Sequence, residues 1–375
     1  LLESSLENGR YTYYDFLEEV NMNYSLPSHD ANLTTLNSPD MHGYDGSDVA
    51  DLGTGLEAVY TVDITEAGFY VLDLDYFVTG EILNNITMSV QINGEYQFDD
   101  AKTVDAVLYW EDSTKDFLVD SYGDQTLPTQ LKIEEWRELD LYNNTYTSNE
   151  PLLFYFEEGI NTVKFTNVSS GDLFLGDLEV NPPKYIPTYQ EYISNYSTVA
   201  SDFNLFTNAI EYIEKNSSYV RLVSFGNPSL SPFDSVDKKL NVIDGGAWYK
   251  AGQEVTFSIE VEEDGLYDIA LHYANYKGDF QSFRSIKIDG EIPYEELASY
   301  AFDYTPTNWA NEIVSDELGN PYKVYLEAGE HTITFRAEQS EVSRELRDIQ
   351  LMIDHINQFA LEIIKITGKD IDKDR

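Results

Sequence analysis

Apolar and polar residues alternate along much of this chain with a period of two, the spacing that sends successive side chains to opposite faces of a strand. AVYTVDIT at 58–65 and VTFSIEVE at 255–262 are two such runs. Each reaches a glycine turn, EAGFY at 66–70 or EDGLY at 263–267, and continues as VLDLDYF or DIALHYA. SVQINGEYQF at 89–98 and SIKIDGEIPY at 285–294 follow, each carrying a two-residue hairpin signal, Asn93-Gly94 or Asp289-Gly290. Farther on, Trp110 answers Trp309, and LFYFEEGINTVKF at 153–165 answers KVYLEAGEHTITF at 323–335. One module is therefore written twice.

Short alternating strands between turn signals, with no strand-helix-strand rhythm, predict an all-β protein of two tandem antiparallel β-sandwich domains of jelly-roll type, joined by short helical segments. The first module is expected over 1–183, where the chain breaks at Asn181-Pro182-Pro183. Spacing between matching turns holds until Trp110, after which the first copy carries an insertion near 111–140 that includes Trp136. A loop of that length often carries function. Partly helical spacing predicts a helical linker over 184–210, and the second module follows over 211–353. LRDIQLMIDHINQFALEIIKITG at 346–368 is apolar at helical intervals and ends on Gly368. A last strand is expected to pass there into a connector helix over 354–375, leading towards a further C-terminal domain.

Charge narrows the partners. With 23 Lys and Arg against 68 Asp and Glu, the formal charge of −45 repels phosphate backbones and anionic membranes, so nucleic acid is not an expected partner. There is no cysteine, hence no disulfide, thiolate metal site or cysteine nucleophile. No apolar run is long enough for a transmembrane segment, and the opening LLESS lacks the regions of a signal peptide, as expected of a trimmed piece. The histidines are scattered without zinc spacing, and no nucleophile elbow, phosphate loop or dinucleotide fingerprint occurs. Carboxylate pairs are uninformative among so many acids. Binding, not enzymatic turnover, is the expected activity.

The 29 tyrosines and 19 phenylalanines suit strands, and tyrosine also offers an amphipathic face to a sugar. A sugar site needs a ring that stacks on a pyranose and a few polar groups that reach its hydroxyls. The candidates are Trp248 in GGAWYKAG and Trp309 in YTPTNWANE, with Tyr273, Tyr276, Gln281 and Arg284; Trp110 and Trp136 are their counterparts in the first copy. Core packing for a tryptophan, and an ion pair for Arg284, are the competing roles.

The second copy, in the order KNSSYVRLVSFGNPSLSPFD, LNVIDGGAWYKAGQEVTFSIEVEEDGLYDIALHY, RSIKIDGEIPYEE and NPYKVYLEAGEHTITF, resembles the N-terminal region of a family of large bacterial extracellular solute-binding proteins. In that family two carbohydrate-binding-module-like, galactose-binding-like sandwiches precede the solute-binding domain of a sugar ABC transporter, and the junction resembles IIKITGKDIDKDR. The resemblance implies an extracellular location, anchored to the cell surface through a region outside this chain, with carbohydrate, the C-terminal domain and the transporter as partners. It also implies a structural calcium held by Glu211 and Asp348, with looser first-copy equivalents in Asp15, Glu18 or Glu19, and Asp177. Two other readings stand beside it: modules that act as spacers or protein-interaction surfaces, and the accessory region of a polysaccharide-degrading enzyme.

Overall fold

Both copies of the repeat fold as antiparallel β-sandwiches in the computed structural model, which describes residues 12–19, 29–30, 43–44, 49–146, 148–196, 203–276, 280–306 and 308–339, with ten single positions between 342 and 365. The first copy opens with helix α1 (Tyr13–Glu19) and the short strands β1 (His29–Asp30) and β2 (Ala50–Asp51). Its body is β3 (Glu57–Ile64), β4 (Gly68–Thr79), β5 (Ile86–Ile92), β6 (Val104–Ala106), β7 (Trp110–Asp112), β8 (Gln130–Lys132), β9 (Arg137–Asp140), β10 (Phe154–Phe156), β11 (Gly159–Asn167) and β12 (Asp172–Asn181). One sheet runs β1-β12-β4-β10, with β2 on β12 and β9 on β4; the facing sheet runs β3-β11-β5-β6. Alternation decides what lies between them: Tyr60, Val62 and Ile64 of β3 meet Leu72 and Leu74 of β4 and Val163 and Phe165 of β11, all buried.

The second copy contains helix α2 (Tyr189–Ser194) and strands β13 (Glu214–Lys215), β14 (Leu222–Val223), β15 (Val242–Ile243), β16 (Glu254–Val261), β17 (Gly265–Asp268), β18 (Ala270–Tyr273), β19 (Ser282–Ile288), β20 (Tyr300–Phe302), β21 (Ala310–Ile313), β22 (Lys323–Leu326) and β23 (Gly329–Glu338). Its main sheet, β20-β19-β23-β16, repeats the order β6-β5-β11-β3. The facing layer is two short pairs, β17 with β22 and β18 with β21.

The repeated motifs have a common physical cause. Asn93 and Asp289 both have φ 51°, each followed by a glycine at φ 84–85°, the turn that suits the strand twist. Each side chain also reaches across to the returning strand, Asn93 Oδ1 accepting from Thr162 N at 2.9 Å and Asp289 Oδ1 from Thr332 N at 2.8 Å. In EAGFY and EDGLY the tyrosine hydroxyl donates to the carbonyl four residues back, Tyr70 to Glu66 and Tyr267 to Glu263.

Residues 184–210 were expected to link the modules, but α2 belongs to the second one. Thr188 and Glu191 cap it reciprocally, as Thr12 and Asp15 do for α1. Tyr189 N donates to Glu296 as Tyr13 N donates to Asp100, and the Tyr189 and Tyr192 rings pack on the second core.

The insertion at 111–140 is no free loop either. The β7-β8 hairpin continues the second module's main sheet through β13, with Lys215 opposite Trp110 and Glu214 opposite Thr256. Around this shared edge Arg137 donates to Glu214 at 2.5 Å and lies 3.8 Å over Tyr109. Gln125 and Asp124 of the insertion hold the backbone of Leu240 and Lys238. Beneath them the outward face of the second sheet buries Glu254, Lys287, Arg336 and Glu338 against Tyr109, Tyr142 and Tyr146. Gly252, at φ +81°, lets the Tyr146 ring approach so closely that a Cβ there would stand 2.3 Å from it. The two sandwiches are thus joined by strand pairing and a buried polar cluster.

Of the connector expected over 354–375, the described positions 356, 359–361, 364 and 365 are helical. No helix among the described residues is long and apolar enough to cross a membrane.

Candidate functional site

The β18-β21 pair sets His272 opposite Asn311 and Tyr273 opposite Ala310. Alternation turns Leu271 and Tyr273 to the core and leaves His272 outside. Trp309, at the entry to β21, lays its ring on His272, with centroids 5.3 Å apart and planes 22° apart. Phe225 meets Trp309 edge-on at 5.8 Å and stacks on Tyr276 at 6.2 Å. Phe225 is 39% exposed and Tyr276 44%. His272 Nδ1 lies 2.6 Å from Asn311 Oδ1, which fixes the imidazole plane under the indole. Beside Phe225 is a cavity of about 280 Å³ lined by Ser224, Phe233, Asp234, Lys239 and Asn241. Four aromatic rings and several amide and carboxylate groups therefore converge on one surface.

Of the predicted residues, Trp309 and Tyr276 belong to this platform, whereas Gln281 is exposed with its amide on Asp303 at 2.9 Å, by the Tyr273 hydroxyl. Tyr273 faces the other way. Its hydroxyl donates to Glu312 at 2.7 Å, Tyr300 donates to the second oxygen at 2.5 Å, and burial with the adjacent carboxylate pushes both phenols up. Phe225, His272 and Asn311 are the members that sequence reasoning missed. The available signal was FGNPSLSPF at 225–233, a turn-rich stretch flanked by two phenylalanines.

Trp248 and Arg284 form a separate group. The indole N–H donates to Gln253 O at 2.9 Å, and the ring packs on the cluster of Tyr212, Val220, Leu222 and Val255. Arg284 sits 4.7 Å over that ring and donates to Phe283 O at 2.7 Å and Trp248 O at 3.1 Å. Burial drives its guanidinium down to about 10, against a small opposing effect of Glu338. Both residues are engaged inside the module, and among the described residues no ring contact or hydrogen bond ties them to Trp309.

In the first copy Trp110, the first residue of β7, is a core residue, 5% exposed, packed within the first module's hydrophobic cluster. Its edge floors an open groove of about 710 Å³ lined by Thr79, Leu83, Lys132 and Glu134. Trp136 packs on Tyr44 and Phe77 over the outer face of β4.

Glu211 uses its carboxylate to accept from Asn208 N at 2.9 Å, closing a helical turn. Among the described residues no three His, Asp or Glu side chains converge as a group that could hold a metal. Asp348 lies outside the described residues. Of the looser equivalents, Asp15 caps α1.

No protein-family model matches the chain, and no curated protein matches its sequence. Among solved structures, the chain is similar to a CBM35 module from Cellvibrio japonicus Abf62, at 16% identity and a TM-score of 0.25, over 43% of this chain and 93% of that one. A family 35 carbohydrate binding module from Clostridium thermocellum is similar at 17% identity and a TM-score of 0.23, over 46% and 95%. A Paenibacillus xanthan lyase is similar over 85% of this chain but 25% of its own, at 13% identity and a TM-score of 0.20. At these values the likenesses place neither a ligand nor an activity on this chain.

Proposed function

We propose that this chain is a non-catalytic carbohydrate-binding unit whose principal contact is the aromatic platform on β18-β21. The observation that carries the proposal is the half-exposed Phe225-Tyr276 stack beside Trp309 on His272. A pyranose presents an apolar face to such rings, while Asn311 and the Ser224, Asp234 and Lys239 side chains of the adjoining cavity supply polar groups for its hydroxyls. The Trp309 indole N–H is a buried donor without a partner among the described residues, which suits a site completed by water or a hydroxyl. A glycan-array screen with the full chain and with Phe225→Ala and Tyr276→Ala tests this. Binding that both variants lose while keeping the wild-type circular dichroism supports the platform; binding that neither variant changes, or none to any glycan, rejects it.

The spacer reading is favoured by a different observation, the continuous sheet that locks the modules together. It predicts a folded protein that binds no glycan.

The finer context follows the resemblance seen in the second copy: surface modules ahead of the solute-binding domain of a sugar ABC transporter. The alternative is an accessory region of a polysaccharide-degrading enzyme. The coding sequence downstream of Arg375 distinguishes a two-lobed receptor from a catalytic domain. Structural calcium at Glu211 and Asp348 belongs to the same proposal. It is tested by thermal unfolding in calcium against chelator, with Asp348→Asn as the variant that must abolish any shift.

A further inference from the structure

One hairpin of the repeat is used twice on the second module. Between β21 and β22 its tip is Asp316 to Asn320, where Asp316 Oδ1 accepts from Leu318 N at 2.9 Å and from Asn320 N at 2.8 Å. The first module repeats that tip in the arm between β7 and β8, where Asp120 Oδ1 accepts from Tyr122 N at 2.8 Å and from Asp124 N at 3.1 Å. Gly123 and Gly319, at φ 90° and 81°, stand as far apart in sequence as Gly94 and Gly290 do. The second module's hairpin starts beside Trp309 and carries Asn311 of the platform. Its counterpart in the first module crosses over and reaches the second module at residues 237–240.

The place it reaches is the wall of the cavity beside Phe225, which Asp237, Lys238 and Lys239 line. Phe117 of the arm packs on the cluster of Tyr212, Val220, Leu222 and Leu240. Gly123 backs so closely on Asp237 that a Cβ there would stand 2.9 Å from its Oδ1. Asp124 accepts from Lys238 N at 2.8 Å and from its ammonium at 2.7 Å. Gln125 N donates to Lys238 O at 2.9 Å, and Gln125 Oε1 accepts from Leu240 N at 2.7 Å. The second module offers this wall little of its own. Among the described residues, the backbone of 235–240 finds its hydrogen-bond partners in Asp234 of the same loop and in the arm.

Asn241 carries the wall to the ring. It follows Leu240 directly and is 4% exposed. Its Oδ1 accepts from Phe225 N at 2.9 Å, and its Nδ2 donates to Phe225 O at 3.1 Å and to Pro232 O at 2.9 Å. Both backbone groups of Phe225 are therefore gripped by a side chain whose own backbone is tied to Val223 O and, one peptide earlier, to Gln125. Release of Leu240 loosens Asn241, and with it the angle at which Phe225 meets Trp309 and Tyr276.

We propose that Asp124 and Gln125 of the first module are positioning residues for the platform of the second. The site is then composite: the second module supplies the rings, and the first sets Phe225 through Leu240 and Asn241. This rests on the reading of the platform as a carbohydrate site. It also gives the shared sheet a use, since an arm that orients a binding ring must itself be held on a rigid element.

Hydrogen exchange on the full chain, without glycan, reads the relay directly. In Asp124→Ala/Gln125→Ala the Leu240 amide loses its acceptor, whereas the Phe225 amide keeps its own on Asn241. Both are nevertheless expected to exchange faster, by about 5-fold or more for the loss of hydrogen bonds of ordinary strength. The Val314 amide, bonded to Ile269 O within the second module, is expected to stay unchanged. Asp124→Asn/Gln125→Glu keeps both side-chain oxygens and should restore the slow exchange. On the glycan array used for Phe225→Ala, the alanine pair should lower the signal by about 5-fold or more at every glycan the wild type binds, and the conservative pair should not. An unchanged Phe225 amide in the alanine pair, a rise shared equally by Val314, or no rescue by the conservative pair overturns the proposal. So does array binding that the alanine pair leaves intact. An array empty for the wild type rejects the carbohydrate reading alone, because the exchange result needs no glycan.

Discussion

Arg336 tests whether the buried cluster between the modules holds them together. Its side chain is 1% exposed; Nε donates to Glu338 at 2.6 Å and an Nη donates to Asn149 O of the first module at 3.1 Å. The guanidinium lies 4.7 Å from the Tyr142 ring and 4.0 Å from Glu254. Arg336→Met strands the fully buried Glu338 carboxylate, whose second oxygen already has no partner. Breaking a buried pair in this way costs about 3–5 kcal/mol. Adding Glu338→Leu removes the stranded charge, so the double variant is expected to recover all but about 1–2 kcal/mol, the share of the Asn149 bond and the tyrosine contacts. Urea unfolding followed by tryptophan fluorescence and by circular dichroism measures both, and the wild type is expected to unfold in one transition because the modules share a sheet. A single variant that loses less than about 1 kcal/mol, or a double variant no more stable than the single, refutes the reasoning.

Two pH dependences follow from other buried groups. Burial lowers Lys215 to about 8, against the attraction of Asp112. The unfolded chain therefore binds more protons between that pH and the ordinary lysine value, so stability from this group rises with pH. Against Lys215→Met, the wild type should gain about 2.5 kcal/mol between pH 7 and 10 in paired urea titrations, and a constant gap would contradict the assignment. Burial and the facing Asp140 raise Asp73 to about 7, so its contribution is present below the ordinary carboxylate range and lost as pH rises through that value. Asp73→Asn should gain on the wild type by about 1–2 kcal/mol from pH 5 to 8, after discounting for solvent screening, as read from thermal midpoints at each pH.

The parts legible in the sequence are those with a local cause. Asn93-Gly94 and Asp289-Gly290 announce turns because the backbone conformation they need is written in two residues, and alternation on β3 announces which side chains are buried; on β16 it does not, since Glu254 and Thr256 are buried and Phe257 and Ile259 only partly so. Helix α2 carried a local signal as well, Thr188 with Glu191, matching Thr12 with Asp15, but weak apolar periodicity made the stretch read as a linker. Non-local pairing was not legible. Nothing in QLK at 130–132 says that its hairpin extends the other module's sheet. Trp110 and Trp309 occupy matching places in the repeat, yet the first is buried in its module's core while the second remains partly exposed. Trp248 and Arg284 were sound as residue types for a sugar site, but they are engaged with each other inside the module.

The placement of the scarce cations bears on what the platform can hold. Arg336 and Lys215 are buried, Lys287 and Arg137 are mostly enclosed at the module junction, and Arg284 is enclosed over Trp248. None of the five has a bond or ring contact to His272 or Trp309, but Lys239 lines the cavity beside Phe225. The carboxylate of Glu312 is turned with Tyr273 and Tyr300 to the side away from His272, and Asp303 lies by the Tyr273 hydroxyl with Gln281 on its carboxylate. A ligand carboxylate at the platform would find Lys239 in the adjoining cavity, where Asp237 already competes for its ammonium at 3.5 Å. If carbohydrate binds there as proposed, ring stacking is the main attraction, and any salt-dependent preference for acidic sugars has to pass through Lys239.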